Sequence, residues 1–240
     1  MQKNKLLYRG KVKSLFETND PHCLIAEFHD DMTAFDGEKR EQLAHKGALN
    51  NAISCFIMRK LADNGIPTHF IETLSPTETL VKRLTMIPLE SVIRNVTAGS
   101  LCRRLGIEPK LELKTPLYEL FLKNDALHDP MICENHALAF NWASQSQLDQ
   151  MRDHTFRINA ILKTLFEDAD LILVDSKYEF GVDPTGNVCL GDEISPDSCR
   201  IWDKTTQNPL DKDRFRKNMG DVMKSYEEIA KRLGVEIEGG

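Results

Sequence analysis

One stretch, Leu171-Ile-Leu-Val-Asp-Ser-Lys-Tyr-Glu-Phe-Gly181, constrains the fold more than any other. Four apolar residues run into alternating polar and aromatic ones, which is the signature of a strand with a buried end. Strand side chains alternate, so Asp175, Lys177 and Glu179 share one face. Asp183-Pro-Thr-Gly186 has turn chemistry, and Asn187–Leu190 can return as the partner strand. Glu179 and Asp192 are symmetric about the Thr185–Gly186 bond, so a regular hairpin sets the two carboxylates roughly opposite each other. Facing carboxylates repel unless a cation, a shared proton or a basic neighbour intervenes. Magnesium takes one or two protein carboxylates and completes its shell with phosphate oxygens and water. The pattern therefore fits either an ATP–magnesium site or a hairpin whose charged face is simply hydrated.

The rest of the chain frames that hairpin. Leu7–Arg9, Val12–Glu17 and Cys23–Phe28 alternate like antiparallel strands, with turns at Gly10 and at Asn19-Asp20-Pro21. Asp30 to His45 reads as a polar, mobile loop. A helix is expected over Lys46–Asp63, with Leu49, Ile53, Phe56, Ile57 and Leu61 on one stripe and Asn64-Gly65 as its stop. Thr68–Leu84 reads as further strands. A second block follows: a strand over Leu89–Asn95, a short helix from Gly99-Ser100 through Leu105, and a strand over Leu117–Lys123. A capping box, Ser144-x-x-Gln147, opens a long helix. A terminal helix is expected over Lys212–Leu233 with Phe215, Met219, Val222, Tyr226 and Ile229 inward and Gly234 as its stop. Strands first, then strands mixed with helices, indicate an α+β fold with antiparallel sheets in two lobes, divided as 1–84 and 85–240.

Composition narrows the function classes. The 240 residues are 41% hydrophobic, enough for a sizeable core, and the net charge of −6 argues against a general nucleic-acid binder. No apolar run approaches the roughly 20 residues of a membrane span. The N-terminus carries no signal-peptide pattern, so a cytoplasmic location is expected. Six dispersed cysteines without Cys-x-x-Cys read as free, mostly buried thiols.

Three groups of residues could carry chemistry. In Arg9-Gly-Lys-Val-Lys-Ser14, Gly10 permits close backbone approach, while Lys11 and Lys13 alternate to one face and could meet polyphosphate. A basic surface hairpin would look the same. Glu90 and Arg94 share a strand face as a polar pair just before Gly99-Ser100, which suits a phosphomonoester or, equally, a structural ion pair. Arg200, in a loop after the acidic hairpin, and Lys123, at a strand end, are either phosphate clamps or solvated cations.

In combination these motifs resemble a known family. Ile87-Pro-Leu-Glu-Ser-Val-Ile-Arg-Asn-Val-Thr-Ala-Gly-Ser100 and Leu173-Val-Asp-Ser-Lys-Tyr-Glu-Phe-Gly181 resemble the two signature motifs of the SAICAR synthetases. The resemblance extends through Tyr8-Arg-Gly-Lys11, Phe35-Asp-Gly37, Lys123-Asn-Asp125, Gly191-Asp-Glu193 and Asp211-Lys-Asp-Arg-Phe-Arg216. It implies a two-lobed α+β fold with ATP between the lobes. It also implies a ligase that joins L-aspartate to a carboxyaminoimidazole ribotide in purine biosynthesis, with magnesium as cofactor and a homodimeric assembly. On this chain Gly10, Lys11, Lys13, Ser14 and Lys123 would meet the ATP phosphates, and Lys82 and Leu84 would present backbone to adenine. Glu179 and Asp192 would hold the metal. Glu90, Arg94, Ser100, Asp175 and Arg200 would bind the ribotide. Asp36, Asp175 and Lys177 would lie at the reacting groups.

A carboxylate is a poor electrophile, so the expected route phosphorylates the ribotide carboxylate and lets the aspartate amine displace phosphate. The amine proton would pass to Asp36 or Asp175. A small-molecule kinase, a non-catalytic nucleotide-binding module and a structural protein with solvated charges are the rivals.

Overall fold

The computed structural model describes residues 1–34 and 37–236. Its first 82 residues supply a five-stranded antiparallel sheet. Strands β1 (Lys3–Arg9), β2 (Lys13–Thr18) and β3 (Cys23–Phe28) follow one another as a meander, and later strands β6 (Phe70–Ser75) and β7 (Glu78–Lys82) complete the order β1-β2-β3-β7-β6. Helix α1 (Lys46–Asp63) lies against this sheet, and its stripe Leu49, Ile53, Ile57 and Leu61 is almost wholly buried. That 4-4-4 spacing keeps the four residues on one helix face.

The segment Asp30–His45, expected as a loop, contains a hairpin of β4 (Asp31–Ala34) and β5 (Lys39–Gln42). Met32 and Ala34 alternate inward and are buried, which anchors β4 despite its charged neighbours. Phe35 and Asp36 lie outside the described residues.

The second sheet begins at Thr85 and has six strands. They are β8 (Thr85–Val96), β9 (Glu112–Leu122), β10 (Met131–Ile132), β11 (Leu171–Val182), β12 (Val188–Gly191) and β13 (Cys199–Asp203). The order is β10-β9-β8-β11-β12, and β13 also pairs with β11. Strands β12 and β13 therefore share one edge of β11 end to end: β12 covers Glu179–Val182 and β13 covers Leu171–Ser176. The loop Asp192–Ser198 leaves the sheet at the seam between them, where Lys177 N–H still bonds Ser198 O at 3.1 Å.

Helix α2 (Gly99–Leu105) has the expected bounds. Helix α3 (Glu134–Ala139) is short, and α4 (Gln145–Asp168) packs on the sheet. The α4 capping box forms, with Gln147 N–H on Ser144 Oγ at 3.2 Å and Ser144 N–H on Gln147 Oε1 at 2.7 Å. Leu148, Met151, Ile158, Leu162 and Phe166 are fully buried beneath it.

Further expectations are corrected. The terminal helix is broken into α5 (Asp213–Arg216) and α6 (Val222–Leu233), because Asn218, Gly220 and Asp221 adopt φ of 54°, 70° and 51°. Met219, expected inward, falls in the break and is exposed. Arg200 is on strand β13, paired with Asp175, and is not in a loop. All six cysteines are free, but only Cys55, Cys189 and Cys199 are buried. Among the described residues no helix is long and apolar enough to cross a membrane.

Candidate active site

Two cavities open along β11. The first, about 460 Å³, has an apolar floor from the first sheet (Leu15, Leu24, Ala26, Val81), closed by Met58 of α1 and by Leu84 and Met86 at the junction. Its polar rim is Lys13, Lys82, Lys123, Glu179 and Asp192. Such an apolar slot with a few charged groups at one end suits a planar base with a charged tail.

The acidic hairpin forms, with Glu179 opposite Gly191, one residue from the symmetric register. A one-residue offset on an ideal strand would turn Asp192 to the opposite face. Asp192 escapes that rule because it lies just past β12 with φ 57°, and it lines the same cavity as Glu179. Lysines hold both acids. Lys13 Nζ bridges Asp192 and Glu193, and Glu179 binds Lys123 as well as Lys177, the latter at 3.1 Å. Burial disfavours charge on Glu179, but Lys177 and Lys123 outweigh it and hold the carboxyl below its ordinary value. Burial likewise opposes the Glu193 charge, and Lys13 overrides it. His69, on the same wall, is pushed down to about 3 by burial and by Lys13, and so stays neutral.

The second cavity, about 300 Å³, is lined by Glu90, Arg94, Ser100, Asp175, Lys177, Arg200 and Arg216, among others. Glu90 and Arg94 share the site without pairing with each other, since four strand residues span about 13 Å. Glu90 binds Lys177 at 2.6 Å. Arg94 is almost fully buried and donates from Nε to Glu119 (2.7 Å), from Nη1 to Asp175 (2.9 Å) and from Nη2 to Ser100 Oγ (3.2 Å). Arg200 binds Asp175 at 2.8 Å and Asp213 at 3.1 Å. Glu119 also holds Arg104, and Asp213 also holds Arg216 and Lys217. The ion-pair network joins five cations (Arg94, Arg104, Arg200, Arg216, Lys217) to three carboxylates (Glu119, Asp175, Asp213), and of these Arg94, Arg200, Arg216 and Asp175 line the cavity, together with Lys177 and the acids Glu90, Asp129 and Asp197. Three guanidinium groups at one cavity suit a phosphate monoester.

Gly99 makes this geometry possible. Its φ is +57°, and a Cβ there would lie 2.5 Å from Arg200 Nη2 and 2.6 Å from Cζ. Only glycine lets the Arg200 guanidinium lie flat against the backbone.

Lys177 joins the two cavities, donating to Glu90 on one side and Glu179 on the other. Burial works against its charge, yet Glu179 and Glu90 raise its affinity for the proton above normal. Burial raises Glu90 above the ordinary carboxylate range, although Lys177 opposes this.

Other expected residues are placed differently. Lys11 and Gly10 line a separate outer cavity bounded by the β4–β5 hairpin, and Lys11 pairs with Asp125 at 2.8 Å. Lys11 and Lys13 therefore do not share one face, because β2 begins only at Lys13. The Ser14 hydroxyl is buried and bonded to His29 Nε2 at 2.9 Å, and Ser14 lines neither cavity. Lys82 Nζ bonds Thr68 O at 3.1 Å. Asp36 lies outside the described residues.

Glu119, Glu193 and the buried pair Lys46–Asp197 (2.7 Å) were not singled out from the sequence. Glu193 had a visible signal, as the acid following Asp192. Glu119 had none, since its partner Arg94 is 25 residues distant. Among the described residues no cluster of three or more His, Cys, Asp or Glu could hold a metal by itself. Two cavity-facing carboxylates with only lysines against them fit a magnesium ion that is otherwise held by phosphate oxygens.

Comparison with known proteins agrees with this geometry. The phosphoribosylaminoimidazole-succinocarboxamide synthase of Coxiella burnetii is 66% identical over 235 residues, 98% of each chain. The crystal structure of the same-named enzyme from Ehrlichia chaffeensis superposes with a TM-score of 0.94 at 44% identity, covering 97% of this chain and 99% of that one. A SAICAR synthetase solved in complex with ADP superposes with a TM-score of 0.94 at 43% identity and the same coverage. The SAICAR synthetase family profile matches residues 6–233, and the chain belongs to that family.

Proposed function

We propose that this chain joins L-aspartate to the carboxylate of 5-amino-1-(5-phosphoribosyl)imidazole-4-carboxylate, with ATP converted to ADP and phosphate, to give SAICAR in purine biosynthesis. The observation that carries this reading is the pair of cavities along β11, one apolar with a lysine–carboxylate rim and one lined by arginines, joined by Lys177. A kinase for a simple alcohol would have no use for a second cavity that presents Arg94, Arg200 and Arg216.

Adenine would occupy the apolar floor, with backbone near Lys82 and Leu84 at its edge. Lys13 and Lys123 would meet the phosphates, with Gly10, Lys11 and the Ser14 backbone closing over them. Glu179 and Asp192 would hold magnesium, which neutralises charge on the transferring phosphoryl group. The ribotide phosphate would bind Arg94, Ser100 and Arg200, and Glu90 would meet the sugar or ring. The ribotide carboxylate would then lie by Lys177, between the cavities. Transfer of the γ-phosphoryl group gives an acyl phosphate, and the aspartate amine displaces phosphate from it. Asp36 or Asp175, the latter bound by two arginines, would accept the amine proton. We further place the lobe boundary at 84/85, where the first sheet ends and the second begins, and take the enzyme to be a cytoplasmic homodimer.

Incubation with ATP, magnesium, the ribotide and aspartate should yield the amide and ADP in equal amounts. A phosphorylated product that forms equally well without aspartate would replace this reading with a kinase, and ATP binding without turnover would replace it with a regulatory module.

A further inference from the structure

Among the described residues Lys212 is the one lysine or arginine that is withdrawn from full exposure and yet bonded to nothing through its side chain. Every other half-buried or buried cation has a carboxylate, amide or carbonyl partner. Lys212 immediately precedes α5 in helical conformation, and its backbone N–H bonds Pro196 O at 3.1 Å, which ties it to the loop at the β12–β13 seam. Arg216 is four residues on, so the two cations share one face of the turn. Arg216 and Asp197, whose charges act on Lys212, both line the arginine-rich cavity, although Lys212 itself does not.

The nearby charges do not satisfy Lys212. Asp197 already accepts from Lys46 at 2.7 Å, Tyr226 Oη at 2.7 Å and Asn50 Nδ2 at 3.0 Å. Glu193, the other acid in range, is held by Lys13. Lys46 and Arg216 add like charge. Burial, with those two cations, lowers the Lys212 proton affinity in spite of Asp197 and Glu193. A half-buried ammonium in this setting lacks a counter-ion, and an arriving anion would supply one.

ATP and the ribotide phosphate have their own cations in Lys13, Lys123, Arg94 and Arg200. The anionic groups still without a partner are the carboxylates of the amino-acid substrate. We propose that the Lys212 ammonium, bracketed with the Arg216 guanidinium, binds a carboxylate of L-aspartate. This rests on the reaction proposed above.

The test is steady-state kinetics on Lys212→Met, Lys212→Gln and Lys212→Arg beside the wild type. Losing one charge-assisted contact should raise the aspartate KM about tenfold to a hundredfold in the two neutral variants. The KM values for ATP and the ribotide should stay within about twofold, and Lys212→Arg should recover most of the loss. Melting temperatures should not fall, because an unpaired cation contributes no folded-state bond. An unchanged aspartate KM, an equal rise in the ribotide KM, or a melting temperature lowered by several degrees in both neutral variants would overturn the assignment. A wild-type enzyme that forms no amide would instead sink the proposed reaction, and this inference with it.

Discussion

Gly99→Ala tests the arginine-rich cavity at its tightest point. Two penalties are expected, and they can be separated. The first is conformational: alanine at φ +57° costs about 1–2 kcal/mol relative to glycine. Gly106, at the other end of α2, has φ +62° with nothing within 4 Å of its would-be Cβ, so Gly106→Ala carries that penalty alone. The second is steric. A Cβ 2.5 Å from Arg200 Nη2 must displace the guanidinium and with it the bonds to Asp175 and Asp213. Breaking a buried ion pair costs about 3–5 kcal/mol when one partner is removed outright, which sets an upper bound for a displaced one. Loss of the contact proposed between Arg200 and the ribotide phosphate should raise the ribotide KM about 10–100-fold. Thermal melts and KM values for all three substrates on both variants measure these effects. Gly106→Ala should melt about 2–8 °C lower with unchanged KM values. Gly99→Ala should melt lower still and lose ribotide affinity selectively. Equal melting temperatures and an unchanged ribotide KM in the two variants would refute the claim that Gly99 seats Arg200.

Glu179→Gln should leave the fold intact and raise the magnesium requirement by at least about tenfold; wild-type turnover at limiting magnesium would remove Glu179 from the metal site. Arg94→Ala should raise the ribotide KM far more than the ATP KM, and equal effects would show the phosphate site to be elsewhere. Lys46→Met should lose about 3–5 kcal/mol of stability by denaturant titration, because it leaves Asp197 buried beside fewer donors; a loss below about 1 kcal/mol would show that Asn50 and Tyr226 suffice. Burial and Asp213 push Asp211 up to about 7, against backbone N–H donors from Ile201 and Asp213. Its folded value lies above the unfolded value of about 3.9, so its contribution to stability is fully present below pH 4 and is lost as pH rises towards 7. Relative to Asp211→Asn, the wild type should therefore lose up to about 1.4 kcal/mol per pH unit across that window; parallel pH curves would contradict the shift.

What could be read beforehand was whatever local pattern encodes. Helix α1 has the bounds that its apolar stripe and Asn64-Gly65 stop implied, and α4 starts at its capping box. The Glu179–Asp192 hairpin was legible because its turn and strands are contiguous. Strand β13 was not: five residues, Cys-Arg-Ile-Trp-Asp, pair with β11 from about 25 positions away, and nothing local announces that partner. The β4 strand was hidden by charged flanks, although Met32 and Ala34 carried the period of two. At the end of the chain the helical spacing of Phe215, Met219 and Val222 outweighed Gly220, which in fact breaks the helix. The site divides in the same way. Arg94, Gly99, Asp175 and Glu179 stood out within motifs, whereas Glu119, and the close approach of Gly99 to Arg200, matter only through contacts that the fold creates.

Because Asp175, Lys177 and Glu179 stand on one uninterrupted strand flanked on both edges, the chain itself acts as a ruler. Asp175 and Glu179 are separated by about 13 Å of β11, at roughly 3.3 Å per residue. In the proposed reaction a rigid spacer would meter the step from phosphoryl donor to ribotide, and a single residue inserted between 175 and 179 would put one of the two poles out of register.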